Sequence, residues 1–172
     1  LERYQKVIKK APKYVPAYVA AAKIKMEQQA YEEAGQFLNK AIEIDPEYAP
    51  AYRHRGELWL KAGNYEQARN DYRQYVELTG NDNRARIRYG SFLYLTENYQ
   101  EALEQFARVE KNGKATNLVE RLSGYCFFET GQIEHARQHL DLYFANSEKE
   151  DLIADDYFYY GRVLIAQGEE AK

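Results

Sequence analysis

Apolar residues recur along this chain at helical spacing, and the stretches that carry them come in pairs. Leu1, Tyr4, Val7 and Ile8 make one stripe over residues 1–10, and Phe37, Leu38, Ala41 and Ile42 make another over residues 31–44. This is the pattern of amphipathic helices. It predicts, after the first helix over 1–10, helices over 16–28, 31–44, 50–62, 65–78, 83–96, 99–111, 116–130, 133–146 and 151–167. The breakers fall between them. Pro12 ends the first helix, and Pro16 is tolerated in the opening turn of the next. Asp45-Pro46 closes a unit because the residue before proline is pushed out of helical geometry. Gly63 and Gly131 sit where a left-handed C-terminal cap is expected, and Glu97-Asn98 occupy the corresponding turn. Every connection is short, so successive helices must be antiparallel neighbours.

The pattern also has a longer period. Ala34, Ala68, Ala102 and Ala136 fall 34 residues apart, as do Gly56, Gly90 and Gly124. The stretch 49–82 shows the unit most plainly. Its eighth place is small throughout the chain (Ala22, Gly56, Gly90, Gly124, Gly161), and its twentieth is alanine. At these places paired helices approach closely and a large side chain would clash. Bulky residues surround them: Tyr18 and Tyr52 at the fourth place, Trp59, Leu93, Phe127 and Leu164 at the eleventh, Leu38, Tyr72, Phe106 and Leu140 at the twenty-fourth. A fixed period in this range is the signature of a solenoid of helix pairs.

Composition narrows the function classes. The 172 residues carry a net charge of −3 with both signs interspersed, which argues against a general nucleic-acid or membrane-surface binder. No run approaches the ~18 apolar residues of a membrane span. One cysteine, Cys126, excludes an internal disulfide and leaves the compartment undiagnosed. Seventeen tyrosines suit half-buried surfaces between stacked elements or along a groove. The chain begins inside a helical pattern without an initiator Met and stops shortly after Gly168, so it reads as an excerpt of a longer array. It is expected to be soluble, cytoplasmic or periplasmic.

The small and large residues at these places resemble the tetratricopeptide repeat family over essentially the whole chain. Departures are Arg55 where a leucine-like residue is usual, Lys25 where an aromatic is usual, and Gly80, Lys114 and Glu148 where proline is usual. The resemblance implies an all-α fold, a right-handed α-solenoid of antiparallel helix pairs. It implies a single array over 1–172: a second helix of a truncated repeat (1–14), four complete repeats (15–48, 49–82, 83–116, 117–153) and the first helix of a further repeat (154–172). It also implies a non-catalytic protein–protein interaction module whose first helices line a concave groove.

Carried over residue by residue, the family's groove places are Lys23 and Met26; Arg53, His54, Glu57 and Lys61; Arg84, Ile87, Arg88, Ser91 and Tyr94; Arg121, Tyr125, Phe128 and Glu129; and Asp155, Phe158, Tyr159 and Arg162. The expected peptide-binding set is Lys23, Arg53, His54, Arg84, Arg88, Tyr94, Arg121, Tyr125, Tyr159 and Arg162. Arginine offers a rigid fork for carboxylates and stacks on aromatic faces, so an acidic or C-terminal-carboxylate peptide beside tyrosine pockets is the sharper reading. The plainer one pairs these arginines with Glu57, Glu129 and neighbouring acids on a solvated face. The chaperone-binding carboxylate clamp of some family members is only half reproduced. Arg84 and Arg88 match it, whereas Val19, Lys23 and His54 replace its lysine and asparagines. The alternative function is a structural segment that self-associates through its terminal half-repeats, around Tyr4 and Val7 or Val163 and Leu164.

No motif points to chemistry. His135 and His139 lie four apart on one helix face, a spacing that holds metals, but without the glutamate of a zinc-protease motif they read as solvated surface histidines. Cys126, among Tyr125, Phe127 and Phe128, reads as a buried inert thiol. The acids Asp151, Asp155 and Asp156 lack the glycine and terminal glutamate of a calcium loop and suit a helix N-terminus. No catalytic residue, cofactor or metal is expected.

Overall fold

In the computed structural model, which describes residues 1–80, 82–113 and 115–168, ten α-helices follow one another: α1 Glu2–Lys10, α2 Val15–Glu27, α3 Tyr31–Ile44, α4 Ala49–Lys61, α5 Tyr65–Leu78, α6 Asn83–Leu95, α7 Tyr99–Lys111, α8 Asn117–Glu129, α9 Ile133–Ala145 and α10 Ala154–Ala166. No strand occurs among the described residues. The fold is an all-α solenoid of antiparallel helix pairs. Lys114, a departure noted above, lies outside the described residues, as does the end of the segment 154–172. Helix limits match the periodicity to within a residue except at α10, which starts at Ala154 rather than residue 151. There Lys149–Asp151 wind a 3₁₀ turn, and Ile153 N donates to the Asp156 carboxylate at 2.7 Å to open the helix.

The chain divides into two compact units, Leu1–Ala85 and Arg86–Lys172. In the first, α2 and α3 pack Tyr18, Val19, Ala22, Ala34, Leu38 and Ala41 against Ala51 and Leu58 of α4. A Cβ built on Gly56 would stand 3.2 Å from the Tyr72 ring, so the eighth place of the unit meets the twenty-fourth. Arg55, the departure from the usual leucine-like residue, donates from Nε and Nη2 to both oxygens of Asp71, each at 2.8 Å, and from Nη1 to Asn39 at 2.9 Å. Trp59 is only partly buried. It borders a cavity of about 400 Å³ lined by Tyr31, Gly35, Asn39 and Leu58, and its buried indole N–H has no acceptor among the described residues.

In the second unit Leu93, Phe106, Val119, Cys126, Leu140 and Val163 are completely buried. The close approach recurs: a Cβ on Gly90 would lie 2.5 Å from the Phe106 ring, and one on Gly124 would lie 2.7 Å from Leu140. Burial of Val163 corrects the expectation that it lies on an uncovered end face. The exposed apolar residues of α10 and its lead-in are instead Ile153, Tyr157, Phe158 and Ile165.

The turn inside each helix pair is built one way. Gln29, Gly63, Glu97 and Gly131 all have φ between +60° and +75°. The next amide (Ala30, Asn64, Asn98, Gln132) donates five residues back, to Lys25, Trp59, Leu93 and Phe127. This is the Schellman closure of a helix C-terminus, taken by glycine at two of the places and by a larger residue at the other two.

Candidate peptide-binding surface

The second unit gathers aromatic rings from α6, α8 and α10. The 3.6-residue repeat puts Arg121, Tyr125 and Phe128 along one side of α8 and Tyr159 and Arg162 along one side of α10. Tyr125 stacks on Tyr159 with centroids 4.1 Å apart and planes 19° apart. Tyr94 leans on Tyr125 at 6.0 Å, and Phe128 meets Tyr159 edge-on at 5.7 Å. The guanidinium of Arg162 lies over Phe128 at 4.8 Å and over Phe158 at 5.4 Å. Arg162 and Phe158 are both exposed. The result is a ladder of rings ending in an accessible cation.

Hydrogen bonds fix the ladder from beneath. Asp156 is completely buried and accepts from the hydroxyls of Tyr125 and Tyr143 as well as from Ile153 N. Arg121 Nε stands 3.8 Å from the same carboxylate, with its guanidinium over the Tyr143 ring at 6.0 Å. Three donors and a nearby cation are what an ionised carboxylate needs when it leaves water. Tyr159 donates to Glu129 at 2.8 Å. Burial, followed by these carboxylate bonds, pushes the Tyr125 and Tyr159 hydroxyls far above the usual phenol range, and burial raises Tyr94 too. All three stay protonated donors at neutral pH.

The expected site residues divide between the two units. Arg88, Tyr94, Arg121, Tyr125, Tyr159 and Arg162 belong to the second. There Tyr94, Tyr159 and Arg162 join one surface, and Arg88 is exposed; Tyr125, expected in the groove, is instead buried at 2% exposure because its hydroxyl is drawn in to Asp156, and Arg121 is turned to Asp156 and Tyr143. Lys23, Arg53, His54 and Arg84 belong to the first unit. Lys23 and Arg84 are exposed, but His54 is buried to 6% exposure. Its Nδ1 lies 2.8 Å from Glu57, and its Nε2 lies 2.5 Å from the Arg53 guanidinium. Guanidinium only donates, so His54 Nε2 takes the acceptor role in its contact with Arg53. His54 therefore organises Arg53 rather than lying open on the surface.

Asp156 sits in the first turn of α10 and accepts from the Ile153 amide, as its place among the acids of a helix start implies. What the sequence does not show is that the same carboxylate is the buried anchor of the tyrosines. Cys126 is completely buried, and burial pushes its thiol up to about 12. The histidines are not simply solvated: both His135 and His139 stack on the Phe127 ring at 5.1 Å, and His139 Nδ1 bonds Glu120 at 2.8 Å. No described helix is long and apolar enough to cross a membrane.

Two family models, both described as Tetratricopeptide repeat, match residues 1–55 and 55–117. No curated protein shows significant sequence similarity to the chain. Among solved structures it is similar to YrrB, described as a TPR protein with an unusual peptide-binding site. That match has 18% identity and a TM-score of 0.80, and it spans 96% of this chain and 84% of that one. The chain is also similar to pilF of Pseudomonas aeruginosa, at 19% identity and TM-score 0.72 over 90% of this chain and 69% of that one. A third likeness is to MamA from residue 41 onward of Desulfovibrio magneticus RS-1, at 17% identity and TM-score 0.78 over 90% and 86%. At such identities the likeness is one of fold.

Proposed function

The chain belongs to the tetratricopeptide repeat family, whose arrays are protein-interaction scaffolds, and from that premise we propose that its second unit binds an extended peptide on the α6–α8–α10 surface. The peptide presents a carboxylate to Arg162 and an apolar or aromatic side chain to the rings of Tyr94 and Tyr159, with buried Tyr125 supporting them from beneath. The observation that carries this reading is the Arg162 guanidinium, held between two phenyl rings at 4.8 and 5.4 Å from their centroids and still exposed. A cation so placed is pre-oriented for a bidentate carboxylate bond, and rings already stacked lose little freedom on binding. Lys23, Arg53 and Arg84 extend the same preference for acidic segments within the first unit, with His54 holding Arg53. In this reading the repeats run 15–48, 49–82, 83–116 and 117–153, between half-repeats 1–14 and 154–172. No catalytic role and no nucleic-acid partner are proposed.

The test is fluorescence anisotropy with labelled peptides that pair an acidic residue with a flanking aromatic, beside amidated Gln/Asn counterparts. Acidic peptides should bind at least about tenfold more tightly than neutral ones, a difference worth about 1.4 kcal/mol. Arg162→Glu should remove that preference, and Tyr94→Ala should weaken both classes. Equal affinity for acidic and neutral peptides, or an unchanged preference in Arg162→Glu, overturns the reading.

A second reading rests on α10, where Tyr157 and Ile165 are more than half exposed. An apolar face of this kind is suited to packing on a second copy or on further repeats. Concentration-dependent dimers in light scattering, abolished by Ile165→Lys, support assembly through this face. A monomer at every concentration removes it.

A further inference from the structure

Away from the aromatic ladder, three consecutive helices bring together ligand atoms of a different kind. Glu110 is near the end of α7, Glu120 lies in the first turn of α8, and His139 is in the middle of α9. Two carboxylate oxygens and one imidazole nitrogen from these residues lie within 4.8 Å of one another. His139 Nδ1 already points at Glu120, and its ring is held by stacking on Phe127 with planes 24° apart. From these positions we propose that Glu110, Glu120 and His139 form a binding site for a divalent transition-metal ion, with Zn²⁺ the best match.

The donor set selects this class of ion. An imidazole nitrogen favours zinc and its neighbours over calcium and magnesium, which prefer all-oxygen surroundings. Three protein ligands leave a fourth tetrahedral position for water. Tetrahedral ligands at zinc stand roughly 3.3 Å apart, given bonds of about 2.0–2.1 Å, so the site closes by rotation of two glutamate side chains while His139 stays fixed. His135, four residues before His139, stacks on the same Phe127 ring but brings no atom to the cluster.

The experiment is calorimetric titration of the full chain with ZnCl₂, followed by thermal unfolding with and without the ion. The expected result is one saturable equivalent, a melting temperature that rises with Zn²⁺ concentration, and binding of Mg²⁺ and Ca²⁺ weaker by at least about tenfold. His139→Gln, Glu110→Gln and Glu120→Gln should each weaken Zn²⁺ by at least about tenfold while keeping the helical circular-dichroism spectrum of the parent. His135→Ala should leave the affinity within about twofold, since it lies outside the set. The proposal is overturned by no saturable binding. It is equally overturned if the three variants bind like the parent, or if His135→Ala loses as much as His139→Gln, which would move the ion to the histidine pair.

Discussion

Arg55 and Asp71 form a two-point ion pair, both Arg55 nitrogens lying 2.8 Å from the carboxylate oxygens of a residue only 5% exposed. They are 16 residues apart, the same offset that brings Gly56 against Tyr72, Gly90 against Phe106 and Gly124 against Leu140. Arg55 therefore fills a contact place that neighbouring units give to the uncharged Ala21, Tyr89 and Ser123, and Asp71 answers it from the facing helix. The arginine that departs most from the repeat pattern is an interhelical strut, with Asn39 of α3 as a third member. Its pKa is raised by the Asp71 hydrogen bonds and remains far above any working pH.

Asp71→Ala should cost about 2–3 kcal/mol in urea unfolding, because it leaves a partly buried guanidinium short of two acceptors. Replacing both partners, as Arg55→Leu with Asp71→Leu, should recover most of that loss, since apolar pairs often replace buried ion pairs without penalty. A double variant no more stable than Asp71→Ala contradicts this account.

Gly90→Ala and Gly161→Ala should diverge although both alter the eighth place. A methyl on Gly90 would enter the Phe106 ring at 2.5–2.9 Å, whereas nothing lies within 4 Å of one on Gly161. The first should destabilise by about 1–3 kcal/mol through overpacking. The second should stabilise by about 0.5–1 kcal/mol through helix propensity. Melting temperatures moving in the same direction would refute the contact assignment.

Gln29→Gly and Glu97→Gly should each raise stability. Both residues are held at φ +60°, a left-handed conformation that costs a side-chain-bearing residue about 1–2 kcal/mol, part of which glycine returns as unfolded-state entropy. The net gain is about 0.5–1 kcal/mol, measurable by denaturant titration. Gly63→Ala and Gly131→Ala, at the same place in their turns, should lose a comparable amount.

Stability should fall in alkali. Cys126 is raised from 9.0 to about 12, so the folded chain keeps a proton that the unfolded chain releases. The contribution is complete below about pH 9 and is lost as pH rises toward 12. Tyr125 and Tyr159 act in the same direction from about pH 10, the usual phenol value. Unfolding free energies between pH 8 and 11 should decline less steeply in Cys126→Ala than in the parent. The native thiol should also react with a disulfide reagent only at the rate of opening, because the thiolate is the nucleophile. Rapid labelling of the folded chain would show the thiol to be accessible.

Sequence alone determined the helices, their order and the small-against-large contacts, because each depends on a short-range period and the period repeats. The turns were legible at Gly63, Gly131 and Glu97-Asn98, but the left-handed backbone itself was veiled at Gln29 and Glu97, where the closure outweighs the preference for glycine. Tertiary structure decided the rest. The answer to Arg55 lies one helix away, at an offset that becomes meaningful only once a helix pair has closed. Asp156 is 31 residues from Tyr125 and 13 from Tyr143, and nothing in its run of acids distinguishes a buried anchor from a solvated one. Trp59 read as core by its place in the repeat, yet its burial depends on how closely α3 approaches, and a cavity remains there. Glu110, Glu120 and His139 are ordinary surface residues on their own helices; three helices must pack before a nitrogen and two oxygens share one space.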